Sequence, residues 1–253
     1  MDPVTVLIGG IGQLYQGDLD LGRLAAERLS GEDLGRGIAV EDLHYGAVAV
    51  AQRLDELHPE AFIIVGATER GREPGTVERR SIQPIAPAAA EVQRAVEDAV
   101  TGYVTVDLVT TVAAGFGSLP ARTICIEVEP AVTGSSEHLS PAVAGALDRA
   151  LQLVRAEARR TPLLLLADRL RSLGTEERLE PSPALDALRG LLAELHAYEN
   201  EGRWGATFAL RDMLKQKISE GETSLGMDHL DWGLWWALVE ELDRLQRLEA
   251  EVP

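Results

Sequence analysis

The chain has 253 residues, 45% of them hydrophobic, enough for one large domain or two smaller ones around a full core. Its 41 acidic and 24 basic residues give a net charge of -17 and a pI of about 4.7, which argues against a nucleic-acid binder with a basic face and against binding to anionic membranes. The one cysteine, Cys125, allows no internal disulfide and fits a reducing cytoplasm.

The N-terminus has no basic segment ahead of an apolar core, and no apolar run reaches ~18 residues, so neither a signal peptide nor a membrane span is expected. Residues 4–8 have the length and β-branched content of a buried parallel strand. The glycines of Gly9-Gly10-Ile11-Gly12 then read as a sharp turn, followed by a loop over residues 13–20 and an amphipathic helix over 21–29. A second strand is expected at residues 37–41, ending on Asp42-Leu43-His44-Tyr45-Gly46, with a helix at 47–57. Residues 61–67 are the most apolar strand candidate, and the loop after them carries the turn signal Pro74-Gly75. Residues 76–80 alternate in polarity and predict an antiparallel excursion.

Residues 81–87 read as loop and 88–100 as helix. Residues 104–114 are rich enough in β-branched side chains for a strand, but the alternation of strands and helices calls for a crossover helix there, ended by Gly115-Phe116-Gly117. The last strand is expected at 121–128, stopped by Glu129-Pro130. Ser140-Pro141 opens a helix with proline at its first position, running to about Arg159.

This order predicts an α/β fold over residues 1–160: a three-layer α/β/α sandwich with a mostly parallel sheet, of the phosphorylase/hydrolase-like kind. Residues 161–253 predict an all-helical appendage with segments at 163–173, 184–199, 205–220 and 231–249, punctuated by Thr161-Pro162 and Glu180-Pro181-Ser182-Pro183. The last segment carries Trp232, Trp235 and Trp236, which read first as core and second as a docking face for a partner or a second copy of the chain.

In an open α/β sheet the loops at the carboxyl ends of the strands form the ligand crevice. That crevice would draw on Gln13, Asp18, Asp20, Glu41, Asp42 and His44. The acids and the histidine suit a divalent metal or acid–base work; the plainer reading is a solvated loop whose acids satisfy helix amides. Gly10-x-Gly12 is not a dinucleotide fingerprint, because Tyr15 stands at the third glycine. No G-x-S-x-G elbow occurs, and Ser135-Ser136 near His138 reads as a polar loop. Cys125, inside a strand-like run, reads as a small buried hydrophobe.

The stretch 7–22, the motif Gly71-Arg72-Glu73-Pro74-Gly75-Thr76-Val77, and Val128-Glu129-Pro130 followed by Leu139-Ser140-Pro141 resemble the hydrogenase maturation proteases, over roughly residues 4–157. The resemblance implies a three-layer α/β/α fold. It also implies an endopeptidase that removes a C-terminal extension from the large subunit of a nickel-iron hydrogenase, recognising the installed nickel through a Glu, an Asp and a His. Carried over residue by residue, Gln13 stands at the asparagine of the family's opening turn, and Asp18 matches the first of its acidic pair. Leu19 stands at the first ligand position, Gly66 at the second, and Gly102 (or Thr101, with a one-residue slip) at the third.

With all three ligands replaced, no resident metal or other cofactor is expected; the alternative is nickel or another divalent metal presented by the substrate. The resemblance therefore implies a cytoplasmic, non-proteolytic assembly or recognition factor for a hydrogenase large subunit. The alternatives are an active endopeptidase rebuilt around Asp18, Asp20, Glu41, Asp42 and His44, and a binding module unrelated to hydrogenases.

Overall fold

The computed structural model describes residues 4–35, 37–99 and 103–175. Its strands are β1 (Val6–Ile11), β2 (Ile38–Asp42), β3 (Ala61–Ala67), β4 (Val77–Ile82) and β5 (Arg122–Val128). Its helices are α1 (Leu21–Leu29), α2 (Ala47–Leu57), α3 (Ala89–Ala99), α4 (Val106–Phe116) and α5 (Pro141–Thr175), with a 3₁₀ turn at Gly17–Asp20 before α1. The sheet order is β2-β1-β3-β5-β4, parallel throughout except for β4, which runs antiparallel to β5. The expected antiparallel excursion is therefore the edge strand β4.

Alternation along the strands builds two apolar layers. Leu7, Phe62, Ile64 and Cys125 pack with Val50 and Leu54 of α2 and Val109 and Val112 of α4. On the other face α1 lies against β1, β2 and β3. There α5 is tied to α1 by Arg28–Asp148 at 3.0 Å and to β4 by Arg79–Glu157 at 2.6 Å. The result is the expected three-layer α/β/α sandwich. Residues 104–114 resolve in favour of helix: Thr105 caps α4 by accepting from the Leu108 amide at 3.1 Å, and Gly117 ends it at φ 72°.

Two expectations are corrected. Gly9 and Gly10 do not turn the chain; they lie inside β1, every residue of which is buried. Their role is close approach. A Cβ on Gly10 would lie 2.1 Å from the Gly22 carbonyl oxygen, and one on Gly22 would lie 2.0 Å from that of Ile11, so α1 rests backbone to backbone on β1. The chain turns later, where Tyr15 (φ 62°) and Gly17 (φ 58°) take left-handed conformations. The expected stop at Thr161-Pro162 is also absent. The helix that opens at Pro141 runs on to Thr175 and takes in the segment expected at 163–173. Pro162 costs this helix one amide bond, to the Ala158 carbonyl, without ending it.

Of the two units into which the chain divides, Met1–Ala158 and Arg159–Pro253, the second is described only as far as Thr175. The helices expected at 184–199, 205–220 and 231–249, with Trp232, Trp235 and Trp236, lie outside the described residues. Among the described residues no helix is long and apolar enough to cross a membrane.

The α1–β1 contact gives a stability prediction. Gly22→Ala should cost about 2–3 kcal/mol in urea unfolding, because the new methyl meets backbone and cannot be accommodated by a rotamer change. Gly31→Ala, with nothing within 4 Å of its Cβ, should leave the midpoint unchanged or slightly raised.

Candidate functional site

The carboxyl ends of β1, β3 and β5 carry the loops that shape the presumed crevice. Asp18, on the 3₁₀ turn after β1, is fully buried and organises this edge. Its carboxylate accepts from the Ala131 and Val132 amides (2.8 Å each), the Ser140 amide (2.6 Å) and the Ser140 hydroxyl (2.9 Å). Ser140 immediately precedes α5, so one side chain joins the loop after β1, the loop after β5 and the start of α5. Backbone bonds reinforce the junction: the Asp18 amide donates to the Val132 carbonyl and the Ser136 amide to the Tyr15 carbonyl. Four donors meet the lone pairs of Asp18, which makes it a latch.

The other expected site residues are not gathered in one place. β2 extends one residue beyond its expected end, so Glu41 and Asp42 are neighbours on a strand and point to opposite faces. Glu41 pairs with Arg53 of α2 at 2.7 Å. Asp42, on the α1 face, lies beside His44, with Oδ2 2.9 Å from Nδ1, and the exposed His44 ring meets Tyr45 edge-on. Asp20 pairs with Arg23, whose Nε lies 2.7 Å from Oδ1. Gln13 Nε2 donates to the Val104 carbonyl at 3.1 Å, linking the β1 loop to the entry of α4.

The ligand positions implied by the family resemblance do not fit a metal. Leu19 is half-buried on the 3₁₀ turn, which lies against β3. At Gly66 a Cβ would already lie 3.0 Å from the Ile11 carbonyl oxygen and 3.1 Å from Val106 Cγ2. Leucine and glycine side chains offer no lone pair to a cation. Gly102 and Thr101 lie outside the described residues. Among the described residues, no three His, Cys, Asp or Glu side chains converge as a metal site.

Beside this edge lies a cluster that single residues in the sequence did not announce. Glu127 of β5 is fully buried, yet it accepts from Arg70 (2.8 Å), Arg72 (2.9 Å) and Arg80 (2.6 Å). Burial alone would raise its pKa; the hydrogen bonds from Arg70, Arg80 and Arg72 outweigh burial and lower it to about 2. Asp107 grips Arg70 through both oxygens, at 2.7 and 2.8 Å. Glu129 accepts from the Arg70 and Gly71 amides at 2.9 Å. Together these bonds staple the loop between β3 and β4, with its Arg72-Glu73-Pro74-Gly75 turn, onto β5. The one sequence signal was an acid in an otherwise apolar strand opposite an arginine-rich segment. Cys125 is buried on the same face, and burial pushes its thiol pKa well up, which fits a hydrophobe and not a nucleophile.

No family model and no curated protein matches the chain. Solved structures do. The hydrogenase 2 maturation peptidase from Thaumarchaeota archaeon SCGC_AB-539-E09 shares 22% identity, covering 59% of this chain and 94% of its own, with a TM-score of 0.42. The hydrogenase maturating endopeptidase HybD from E. coli shares 19% over 64% and 94%, at 0.45. The [NiFe] hydrogenase maturation protease HycI from Thermococcus kodakarensis KOD1 shares 18% over 60% and 90%, at 0.44. The chain is similar to these three hydrogenase maturation endopeptidases over 59–64% of its length.

The buried acids give two predictions. Asp18→Asn turns an acceptor toward amide donors it cannot fully satisfy, and should cost about 3 kcal/mol in urea unfolding. Glu127 is protonated near pH 4.5 when unfolded and near pH 2 when folded, so the unfolded chain binds the extra proton between those values. Its stabilisation is complete above about pH 4.5 and is lost as pH falls toward 2. Glu127→Gln should lower stability at pH 7 by about 3–5 kcal/mol and flatten the acid limb of a stability–pH profile measured by denaturant unfolding.

Proposed function

We propose that the chain is a non-proteolytic recognition or assembly factor, acting in the cytoplasm on the large subunit of a nickel-iron hydrogenase. The observation that carries this reading is the pair Leu19 and Gly66. They stand where the resembling family places metal-binding carboxylates, and at Gly66 an added Cβ would already meet the Ile11 carbonyl oxygen and Val106. The motifs that carry the resemblance remain, so the scaffold and its crevice persist without the ligand set. Nickel belongs here to the partner, as cargo within the large subunit, and no side chain of this protein is assigned to it.

An apolar rim offers the recognition surface. Leu14 (47%), Tyr15 (65%), Tyr103 (54%) and Val132 (42%) are exposed on loops of the carboxyl edge. The Gln13–Val104 bond brings the loop of Leu14 and Tyr15 beside that of Tyr103, and the Asp18 bonds bring Val132 to the loop of Leu14 and Tyr15. Exposed apolar side chains grouped at a ligand edge mark a protein-binding surface. Tyr15 holds a left-handed φ that non-glycine residues seldom adopt, and such strain collects at binding sites. A rebuilt protease site would have to draw on Asp18, Asp20, Glu41, Asp42 and His44, but Asp18 is saturated and Glu41 faces away from Asp42.

The purified chain, mixed with a hydrogenase large-subunit precursor, should give a complex on gel filtration in which intact-mass analysis finds the precursor's C-terminal extension uncut. Tyr15→Ala and Leu14→Asp should each weaken the complex about tenfold, roughly 1.4 kcal/mol. Loss of the extension would overturn the non-proteolytic reading, and absence of a complex would overturn the partner.

A further inference from the structure

The loops that carry the apolar rim also carry unspent charge. Glu69 and Glu73, between β3 and β4, and Glu137, after β5, are exposed and have no ion pair among the described residues. Backbone bonds place two of these acids by the rim. The Ser136 amide donates to the Tyr15 carbonyl, and the Gly17 amide to the Ser136 carbonyl, at 3.0 Å each, so Glu137 directly follows a residue paired to the Tyr15 turn. The Glu129 carboxylate, shortly before Val132, holds the Arg70 and Gly71 amides at 2.9 Å, which draws Glu69 to the same side.

Basic side chains do not offset these acids. No lysine occurs ahead of Lys215. The arginines of this flank are taken up: Arg70 by Asp107 (2.7 Å) and Glu127 (2.8 Å), Arg72 by Glu78 (2.7 Å) and Glu127 (2.9 Å), and Arg80 by Glu127 (2.6 Å). Asp18, bonded to the Val132 amide, adds a buried carboxylate met by neutral donors, with no counter-ion among the described residues. The field at this edge is therefore negative, and the low-dielectric interior around Asp18 screens it less than water would. The rim has its own attraction for cations, because Tyr15 and Tyr103 are exposed and the face of an aromatic ring is electron-rich.

We infer that the rim receives a segment of a partner protein that carries arginine or lysine among apolar side chains. The inference rests on the reading of the rim as a protein-recognition surface, and not on the partner being a hydrogenase subunit. Apolar side chains of the segment cover Leu14 and Val132, and its cationic heads reach the Tyr15 and Tyr103 rings and the carboxylates of Glu69 and Glu137. Long basic side chains suit such a surface, since their methylenes lie on apolar area while the charged end reaches an acceptor. Each exposed carboxylate contributes little alone; the summed charge selects the partner and speeds its approach, while the apolar contact holds it.

The test uses the full ¹⁵N-labelled chain at low salt and three acetylated, amidated peptides: Leu-Arg-Val-Arg-Leu, Leu-Glu-Val-Glu-Leu and Ser-Arg-Ser-Arg-Ser. The first should shift the amide resonances of Tyr15, Tyr103, Val132 and Glu137 in a saturable way, and should bind about tenfold more weakly at high salt. The other two should bind at least about tenfold more weakly than the first, one lacking the complementary charge and the other the apolar contact. Glu137→Lys, at an exposed position with no ion pair to lose among the described residues, should weaken the first peptide about fivefold. Tyr103→Leu keeps an apolar side chain without the ring face and should weaken it about threefold. The spectrum of each variant alone shows whether the fold is kept. Equal binding of the glutamate peptide, shifts spread evenly over the whole surface, or unchanged affinity in Glu137→Lys would each overturn the basic segment, and equal binding of the serine peptide would overturn its seat on the rim. A hydrogenase precursor that binds while the first peptide does not would overturn this inference and leave the recognition reading standing; the reverse result would support the inference and overturn the hydrogenase partner alone.

Discussion

The carboxyl edge of this sheet depends on one side chain. Asp18 is buried without a counter-ion among the described residues, and it is stable there because three amides and a hydroxyl converge on it. An isolated carboxylate in a protein interior is strongly disfavoured unless its lone pairs are met by donors. The donors come from segments 113 to 122 residues further along the chain. The charge can be buried only once the loop after β5 and the start of α5 are in place, so the bond network couples closure of this edge to completion of the fold. The exposed positions of Tyr15 and Val132 are consequences of that closure, since both residues sit on backbone that the latch holds.

Glu127 does for the other flank what Asp18 does for the centre, by the opposite means. Asp18 is neutralised by neutral dipoles, Glu127 by three guanidinium groups. The difference has a structural use. Amide donors are fixed by the backbone, so Asp18 sets backbone position. Arginine forks reach across several ångströms, so Glu127 gathers side chains from the β3–β4 loop and from β4 onto one point of β5. Across the sheet, β2 stands three strand spacings from β5, about 14 Å at ~4.8 Å each. Asp42 and His44 therefore belong to a different neighbourhood from the arginine cluster, although both lie at carboxyl ends.

Much of the scaffold is legible in the sequence because its signals are local. α1, α2 and β3 fall on residues 21–29, 47–57 and 61–67, where periodicity and β-branched content are strongest. The misreadings share a cause. Gly9-Gly10 looks the same in one dimension whether it turns the chain or admits a helix, and the deciding partner, Gly22, lies beyond an intervening loop. Thr161-Pro162 carries a helix-stop signal, but what a proline removes is a single amide bond, and the helix continues past it. The site was less legible still. Leu19 and Gly66 stand out only against a family pattern, whereas the roles of Asp18 and Glu127 depend on donors that no spacing rule connects to them.

These arrangements bear on what the crevice can do. A metal site needs lone pairs left unspent and aimed at a common void. At the centre of this edge the acids are spent. Asp18 is filled by donors, Glu127 by arginines, and Glu129 by the amides of Arg70 and Gly71. The guanidinium groups around Glu127 would also oppose a cation placed nearby. The exposed remainder mixes the apolar and aromatic side chains of Leu14, Tyr15, Tyr103 and Val132 with scattered surface acids such as Glu69, Glu73 and Glu137. Asp42, at the far border, is the exception that keeps an unpaired oxygen. What the edge does fix is backbone: the Asp18 latch holds the loops that carry Tyr15 and Val132 against each other, through the Asp18 amide on the Val132 carbonyl and the Ser136 amide on the Tyr15 carbonyl.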